Sequence, residues 1–114
     1  ALIIHNVKNK KEGFKDPIAD YDYYTLVFGN LDKLENSVNN PEYLIKKLKE
    51  ENKQIPKIYM ACGTEDFLIE ENRAFFKFLK DENIDVEYVE SPGAHNWDFW
   101  NAYLEPSIKW LLSN

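Results

Sequence analysis

The fold of this chain is decided by the stretch Pro56-Lys-Ile-Tyr-Met-Ala-Cys-Gly-Thr-Glu-Asp66. From Lys57 to Cys62 it is largely apolar, β-branched and aromatic and is ended by Gly63, which predicts a buried strand. A helix with acidic residues in its first turn is predicted from Glu70 to Asn83, and a second strand from Asp85 to Glu90. The order strand, helix, strand predicts a parallel β-α-β unit with a right-handed crossover.

The last part of the chain predicts a long amphipathic helix. Apolar residues recur at intervals of three and four positions, which is the period of one helix face: Trp97, Trp100, Leu104, Ile108 and Leu111. Pro106 lies within this pattern, and proline removes a backbone hydrogen bond and crowds the preceding turn. We therefore expect a kink at Pro106 or two short helices.

The first part of the chain predicts little regular structure before its first clear helix. Leu2 to Val7 indicates a short strand or strand end. The aromatic segment from Asp20 to Leu34 has no clean period, so we expect loops with short helical pieces that could form a cap or one wall of a pocket. At Asn40-Pro41, a good N-cap precedes proline at the first helical position, which predicts a helix that ends near Asn52.

Length and composition limit the chain to one folded domain. Hydrophobic residues make up 44% of the 114 residues, which is enough for a core. We expect a single partial α/β domain, in which residues 1–40 supply a strand end and cap-like loops and residues 41–114 supply a helix plus a β-α-β-α core. A thin parallel sheet of two or three strands should leave at least one strand edge without a partner.

The charge balance and the cysteine count argue against several classes of function. The chain has 14 basic and 20 acidic residues, a net charge of −6, which argues against nucleic acid or an anionic membrane as partner. No apolar run reaches the length of a transmembrane helix, and no signal peptide is visible. Cys62 is the single cysteine, and the chain has no Asn-x-Ser/Thr sequence; both facts favour a reducing, cytoplasmic location.

Two residues that could carry chemistry follow the two predicted strands. Asp66 lies four residues after Cys62, and His95 lies five residues after Glu90, in the turn Pro92-Gly-Ala-His95. Ligands of open α/β sheets bind beyond the carboxyl ends of the strands, and adjacent parallel strands bring such loops together. An aspartate there can orient a histidine ring, whose other nitrogen then serves as general base. Taken singly, Asp66 could instead be a helix cap and His95 a turn residue.

Three stretches of the chain are similar to those of a known enzyme superfamily: Pro56 to Asp66, Asn72-Arg73, and Pro92-Gly-Ala-His95-Asn-Trp-Asp-Phe-Trp100. They resemble the tributyrin-esterase and esterase D-like branch of the α/β-hydrolases, strongly from Pro56 onward, and the order acid then histidine is the one found in that superfamily. The resemblance implies that Asp66 is the acid and His95 the base of a catalytic triad. It also implies that Trp97 and Trp100 pack beside the histidine loop, and that no metal or organic cofactor is needed.

The nucleophile of that family is expected upstream of this chain. The family's Gly-x-Ser-x-Gly sequence and oxyanion-hole loop have no counterpart among the serines present, which are Ser37, Ser91, Ser107 and Ser113. We therefore expect the C-terminal portion of a serine carboxylesterase that hydrolyses short-chain acyl esters of the tributyrin or acetyl type, a portion that is inactive by itself. One alternative is a non-catalytic truncated domain that self-associates into a homo-oligomer through an exposed sheet edge. A Rossmann-like half is disfavoured because the glycines are isolated.

Several further side chains can be given either a structural or a functional role. Four aromatic residues could line an acyl or aryl pocket: Trp97, Phe67, Tyr24 and Phe28. For Tyr24 and Phe28, packing in the core or in a cap is the commoner role. Cys62 fits a buried strand end better than a nucleophile. Three acidic residues fit a solvated helix start better than a metal site: Glu65, Glu70 and Glu71.

Overall fold

The computed structural model describes residues 2–16 and 19–113, which form two compact units divided between Ile55 and Pro56. The first unit contains helices α1 (Leu2–Val7) and α2 (Tyr21–Phe28), a short 3-10 helix (Leu31–Asn36) and helix α3 (Pro41–Glu50). The second unit contains strand β1 (Ile58–Gly63), helix α4 (Ile69–Asp81), strand β2 (Val86–Ser91) and helix α5 (Trp97–Ser113). The sequence-based prediction is one domain over residues 1–114, in which residues 1–40 form cap-like parts and residues 41–114 form the core, and this stays a prediction.

The N-terminal segment is a helix, so the predicted strand end at Leu2 to Val7 is wrong. Ile4 and Val7 are three positions apart, and both are buried, with 3% and 1% of their surface exposed. A helix places such residues on one face, whereas a strand would turn them to opposite faces. Together with Leu31 and Leu34 they form the core cluster of the first unit, and this packing explains why the segment is helical.

Side-chain caps start two other helices of the first unit. The Asp20 carboxylate accepts a hydrogen bond from the Tyr23 N–H at 3.0 Å, and the Asn40 side-chain oxygen accepts one from the Glu42 N–H at 3.2 Å. Asn40 is buried, and its amide also donates to the Glu35 carbonyl oxygen at 2.7 Å. The predicted cap at Asn40 is therefore confirmed, and it ties α3 to the preceding 3-10 helix.

The second unit has the predicted order of strand, helix, strand and helix. Strands β1 and β2 pair in parallel, with Ile58 opposite Val86 and Gly63 opposite Ser91. Helix α4 packs against both strands, and α5 packs against β1. Within residues 2–16 and 19–113 the sheet has these two strands, so each of them has one edge without a neighbouring strand.

Helices α4 and α5 lie on opposite faces of this sheet. Tyr59 of β1 contacts Trp110 of α5, with ring centres 5.4 Å apart, while Tyr88 of β2 contacts Phe76 of α4, with ring centres 5.0 Å apart. Tyr88 pairs with Met60, the neighbour of Tyr59 in β1, and successive side chains of a strand point to opposite faces. Both faces of the small sheet are therefore in contact with a helix.

Helix α5 runs through Pro106 as one helix, so of the two alternatives the two short helices are wrong, and a kink at Pro106 stays a prediction. Proline has no N–H to donate to the carbonyl oxygen four residues earlier. Because Pro106 is exposed, water can replace the missing hydrogen bond, and the helix can continue. The start of the helix is fixed by Asn96, whose side-chain oxygen accepts a hydrogen bond from the Phe99 N–H at 3.2 Å. Asn96 directly follows His95, so this hydrogen bond also fixes the C-terminal end of the loop that carries His95.

Candidate functional site

Asp66 and His95 are brought together by the two loops that follow β1 and β2. The His95 Nδ1 atom lies 2.9 Å from Asp66 Oδ2. The Asp66 side chain is 6% exposed, whereas that of His95 is 42% exposed. The imidazole therefore has one nitrogen on a buried acceptor while much of its surface meets solvent. The two residues lie together as parallel strand pairing predicts, and their catalytic roles stay predictions.

Local hydrogen bonds hold the Asp66 carboxylate in place. Its Oδ1 atom accepts a hydrogen bond from the Leu68 N–H at 2.9 Å, and its backbone carbonyl oxygen accepts one from the Ile69 N–H at 3.1 Å. Asp66 thus shapes the turn that leads into α4 and also contacts His95. The alternative that Asp66 caps the helix is wrong, because the N-cap position of α4 is Leu68 and no side chain caps it; the Asp66 carboxylate instead closes a turn just before the helix.

The contact between the two side chains can fix the protonation pattern of the His95 ring. An ionised carboxylate can only accept a hydrogen bond, so the hydrogen between Asp66 and His95 belongs to Nδ1. In the neutral ring, Nε2 then has a free lone pair and can take a proton from a hydroxyl placed beside it. The carboxylate also stabilises the imidazolium that results. The pair can therefore act as a general base with its orienting acid.

Aromatic side chains flank the imidazole. The ring centre of Phe67 lies 5.1 Å from that of His95. The ring centre of Trp100 lies 5.0 Å from that of His95, and these two rings meet edge to face. Trp97 in turn contacts Trp100 at 5.1 Å. Phe67 and Trp97 are 76% and 72% exposed. Two of the four predicted pocket residues thus belong to an exposed aromatic cluster around His95.

The other two predicted pocket residues, Tyr24 and Phe28, lie in the first unit. They pack against its core cluster, and this location fits the alternative of core packing. In the second unit, a shallow groove of about 240 Å³ lies between β1 and α5. Its lining consists of Tyr59, Ala61, Phe99, Trp100, Tyr103, Leu104 and Ser107. Trp100 lines the groove and also contacts His95, so the groove borders the imidazole.

The two loops are tied together by hydrogen bonds that the sequence does not predict. The Thr64 N–H donates to the Ser91 carbonyl oxygen at 2.9 Å, and the Glu65 N–H donates to the Gly93 carbonyl oxygen at 3.0 Å. In return, the Gly93 N–H donates to the Glu65 carboxylate at 2.7 Å. Glu65 is exposed, as predicted for a solvated helix start, but it also connects the two loops. Its role becomes visible only when the register of the strands is known.

The close approach of the loops depends on Gly63. A Cβ atom at this position would lie 2.0 Å from the Gly93 carbonyl oxygen, so only glycine fits. Gly93 has a φ of 143°, in the region that favours glycine. A Cβ atom there would lie 2.7 Å from Cδ2 of Phe99. These two glycines allow the backbone of one loop to lie directly against the other.

Cys62 has the environment of a buried strand-end residue. It is 3% exposed, and burial raises the pKa of its thiol, with a further contribution from the nearby Asp66 carboxylate. The thiolate is the reactive form of cysteine, so this environment makes Cys62 a poor nucleophile. The Asn72 side-chain N–H lies 3.4 Å from Cys62 Sγ and helps to fill the site.

Charged residues near the site form ion pairs. Arg73 donates two hydrogen bonds of 2.9 Å to the Glu90 carboxylate and one of 2.7 Å to Glu70. The Arg73 guanidinium lowers the pKa of Glu90. In the part of the chain that the structure describes, no cluster of three or more possible metal ligands occurs. No helix in that part is long and apolar enough to cross a membrane.

Solved structures with a similar arrangement are α/β-hydrolases. The S-formylglutathione hydrolase of Staphylococcus aureus, solved as the apoenzyme, matches with a TM-score of 0.75 and 27% identity over 96% of this chain and 41% of its own. The fluorophosphonate-binding serine hydrolase F of the same organism, solved with substrate bound, matches with a TM-score of 0.77 and 27% identity over 96% of this chain and 40% of its own. A ferulic acid esterase shares the fold alone, with a TM-score of 0.54 and 17% identity. The chain therefore has a partial α/β-hydrolase fold, and the predicted fold class is confirmed.

The amino-acid sequence of a known enzyme is also similar to that of this chain. The chain is 49% identical to an acetyl esterase of Caldicellulosiruptor saccharolyticus over 111 residues, which cover 97% of this chain and 42% of that enzyme. The chain thus spans less than half the length of the relatives that it matches. No family model matches the chain. The predicted resemblance to α/β-hydrolase esterases is confirmed.

Proposed function

We propose that Asp66 and His95 are the acid and the base of a Ser–His–Asp triad in a carboxylic ester hydrolase that cleaves short-chain acyl esters. The observation that carries this proposal is the 2.9 Å contact between His95 Nδ1 and Asp66 Oδ2 at the ends of two parallel strands. The identity of 49% with an acetyl esterase supports acetyl esters as the first substrates to test.

The reaction follows from the protonation pattern of the pair. His95 Nε2 takes the hydroxyl proton of a serine while the serine oxygen attacks the carbonyl carbon of the ester. The imidazolium, held by Asp66, then donates that proton to the oxygen of the leaving alcohol, and an acyl-serine remains. In the second half, His95 takes a proton from water, the resulting hydroxide attacks the acyl carbon, and the serine regains its proton as the acid leaves. Phe67 and Trp97 supply an apolar wall beside the reacting group.

The nucleophile in this proposal comes from outside the 114 residues. None of the four serines lies in a Gly-x-Ser-x-Gly sequence. Three of them donate their hydroxyl hydrogen to a backbone carbonyl oxygen at 2.8 Å, namely Ser37 to Leu34, Ser107 to Leu104 and Ser113 to Lys109. A serine and an oxyanion hole on another segment would complete the site. The chain by itself is therefore expected to have no esterase activity.

A chimera tests this proposal. The 111 matched residues replace the corresponding region of the acetyl esterase, and hydrolysis of p-nitrophenyl acetate is measured. The chimera is expected to be active, and His95→Ala or Asp66→Asn to lower kcat by about 10⁴-fold or more. Asp81→Asn is the matched control, because Asp81 is an exposed carboxylate at the end of α4 that pairs with Lys77. This variant should keep full activity.

Three results would contradict the proposal: a folded but inactive chimera, activity that survives His95→Ala, or ester hydrolysis by the isolated chain. Light scattering on the isolated chain tests the alternative of a self-associating module. A dimer, combined with an inactive chimera, would favour that alternative, since each strand of the described sheet has one edge without a neighbouring strand.

A further inference from the structure

We infer that Glu65 is a positioning residue, which holds the His95 loop against the Asp66 loop and thereby sets the orientation of the His95 ring. The inference rests on the proposed function and adds to it a residue that does not itself react. Glu65 directly precedes Asp66 in the chain, yet its side chain contacts Gly93 instead of His95.

Glu65 engages both backbone polar groups of Gly93. The Glu65 N–H donates to the Gly93 carbonyl oxygen at 3.0 Å, and the Gly93 N–H donates to Glu65 Oε2 at 2.7 Å. A hydrogen bond to a charged acceptor is roughly twice as strong as a neutral one. Since Gly93 is two residues before His95, this double contact fixes the backbone from which the imidazole projects.

The Glu65 carboxylate is itself held in position. The Thr64 hydroxyl donates to the same oxygen, Oε2, at 2.6 Å. The Thr64 hydroxyl and the Gly93 N–H lower the pKa of Glu65, so the carboxylate stays ionised well below neutral pH. An ionised carboxylate only accepts hydrogen bonds, and it therefore suits two donors that converge on one oxygen.

The loop needs such a restraint because it turns at a glycine. Gly93, with its φ of 143°, can adopt more backbone conformations than any other residue. On its C-terminal side the loop is fixed by Asn96, the cap of α5. Without the Glu65 carboxylate, Gly93 would keep only the hydrogen bond from the Glu65 N–H to its carbonyl oxygen, and its own N–H would lose its acceptor. The ring could then turn away from Asp66, and displacements of about 1 Å can lower rates by about 10²-fold.

NMR spectroscopy on the 114-residue chain tests the inference without any activity measurement. Long-range ¹H–¹⁵N correlation distinguishes the two neutral tautomers of the His95 ring, and His5, the other histidine, serves as internal reference. In the unsubstituted chain we expect the Nδ1–H tautomer and slow exchange of the Gly93 amide hydrogen. In Glu65→Ala we expect a mixture of tautomers and fast exchange at Gly93. Glu65→Gln, which keeps an acceptor oxygen, should restore much of the original pattern.

Glu70→Ala is the matched control, because Glu70 is an exposed carboxylate like Glu65 but lies in the first turn of α4 and pairs with Arg73. It should leave the His95 tautomer unchanged. If the tautomer is also unchanged in Glu65→Ala, the inference is wrong.

Activity of the chimera supplies the second readout. Glu65→Ala should lower kcat by about 10-fold to 100-fold with little change in KM, because Glu65 orients the base and does not bind substrate. An active chimera that is unaffected by Glu65→Ala would overturn this inference while leaving the proposed triad intact. A folded chimera without activity would instead count against the triad, and the tautomer measurement would still decide the role of Glu65.

Discussion

Replacement of Gly63 by alanine should force apart the two loops that carry Asp66 and His95. The new Cβ atom would lie 2.0 Å from the Gly93 carbonyl oxygen and 2.4 Å from its carbonyl carbon, whereas an ordinary contact begins near 3.4 Å. Both obstacles are backbone atoms, so no change of side-chain rotamer can remove the overlap. Separation of the loops would lengthen both hydrogen bonds between Glu65 and Gly93.

The size of the effect follows from these contacts. Overpacking at a closely packed position costs about 1–3 kcal/mol, and a lost hydrogen bond costs about 1 kcal/mol. Since two hydrogen bonds are affected, we expect Gly63→Ala to lower the free energy of unfolding by about 3–5 kcal/mol, against a total of about 5–15 kcal/mol for a typical domain. In the chimera, the same substitution should also lower kcat, because it separates the acid from the base.

Urea unfolding followed by tryptophan fluorescence measures the change. The three tryptophans, Trp97, Trp100 and Trp110, all lie in α5, so their signal reports on the second unit. Ala102→Gly is the control within the same unit, because Ala102 is an exposed residue of α5 and its replacement adds no atom, so the cost there is helix propensity alone, about 1 kcal/mol. If Gly63→Ala unfolds at the same urea concentration as the unsubstituted chain, the close approach of the loops is not as described.

Two further predictions concern the charges and the last helix. Because Arg73 lowers the pKa of Glu90 from its ordinary value of 4.5, the pair stabilises the folded state above that pH, and this contribution is lost as the pH falls through the lowered pKa. The difference in urea midpoint between the unsubstituted chain and Arg73→Ala should therefore be full near neutral pH and shrink below pH 4.5; a difference independent of pH would contradict the sign. Pro106→Ala should stabilise α5 by about 1–3 kcal/mol, because it restores a helical hydrogen bond at an exposed position, and thermal unfolding followed by circular dichroism would show no gain if this reasoning is wrong.

Local patterns in the sequence predict the elements of the second unit well. Strand β1 is predicted by the apolar run before Gly63, and helix α4 by its acidic first turn. Both signals lie within the segment that they describe, so they can be recognised without knowledge of distant contacts. The segment Leu2 to Val7 shows the limit of this reasoning. Its apolar residues suit a strand or a helix, and the burial of Ile4 and Val7 against Leu31 and Leu34 agrees with a helix. Those partners lie too far along the chain for a local pattern to include them.

For the candidate site, too, one part could be predicted from the sequence and another part could not. The sequence by itself determines that an acid and a histidine follow successive strands, in the order used by α/β-hydrolases, and this is enough to pair Asp66 with His95. Only the tertiary structure places their atoms 2.9 Å apart and shows that Glu65 binds Gly93, 28 positions further along the chain. The physical reason is that hydrogen bonds between loops depend on the register of the strands and on a backbone approach that two glycines permit. Neither quantity is encoded in any short stretch of residues.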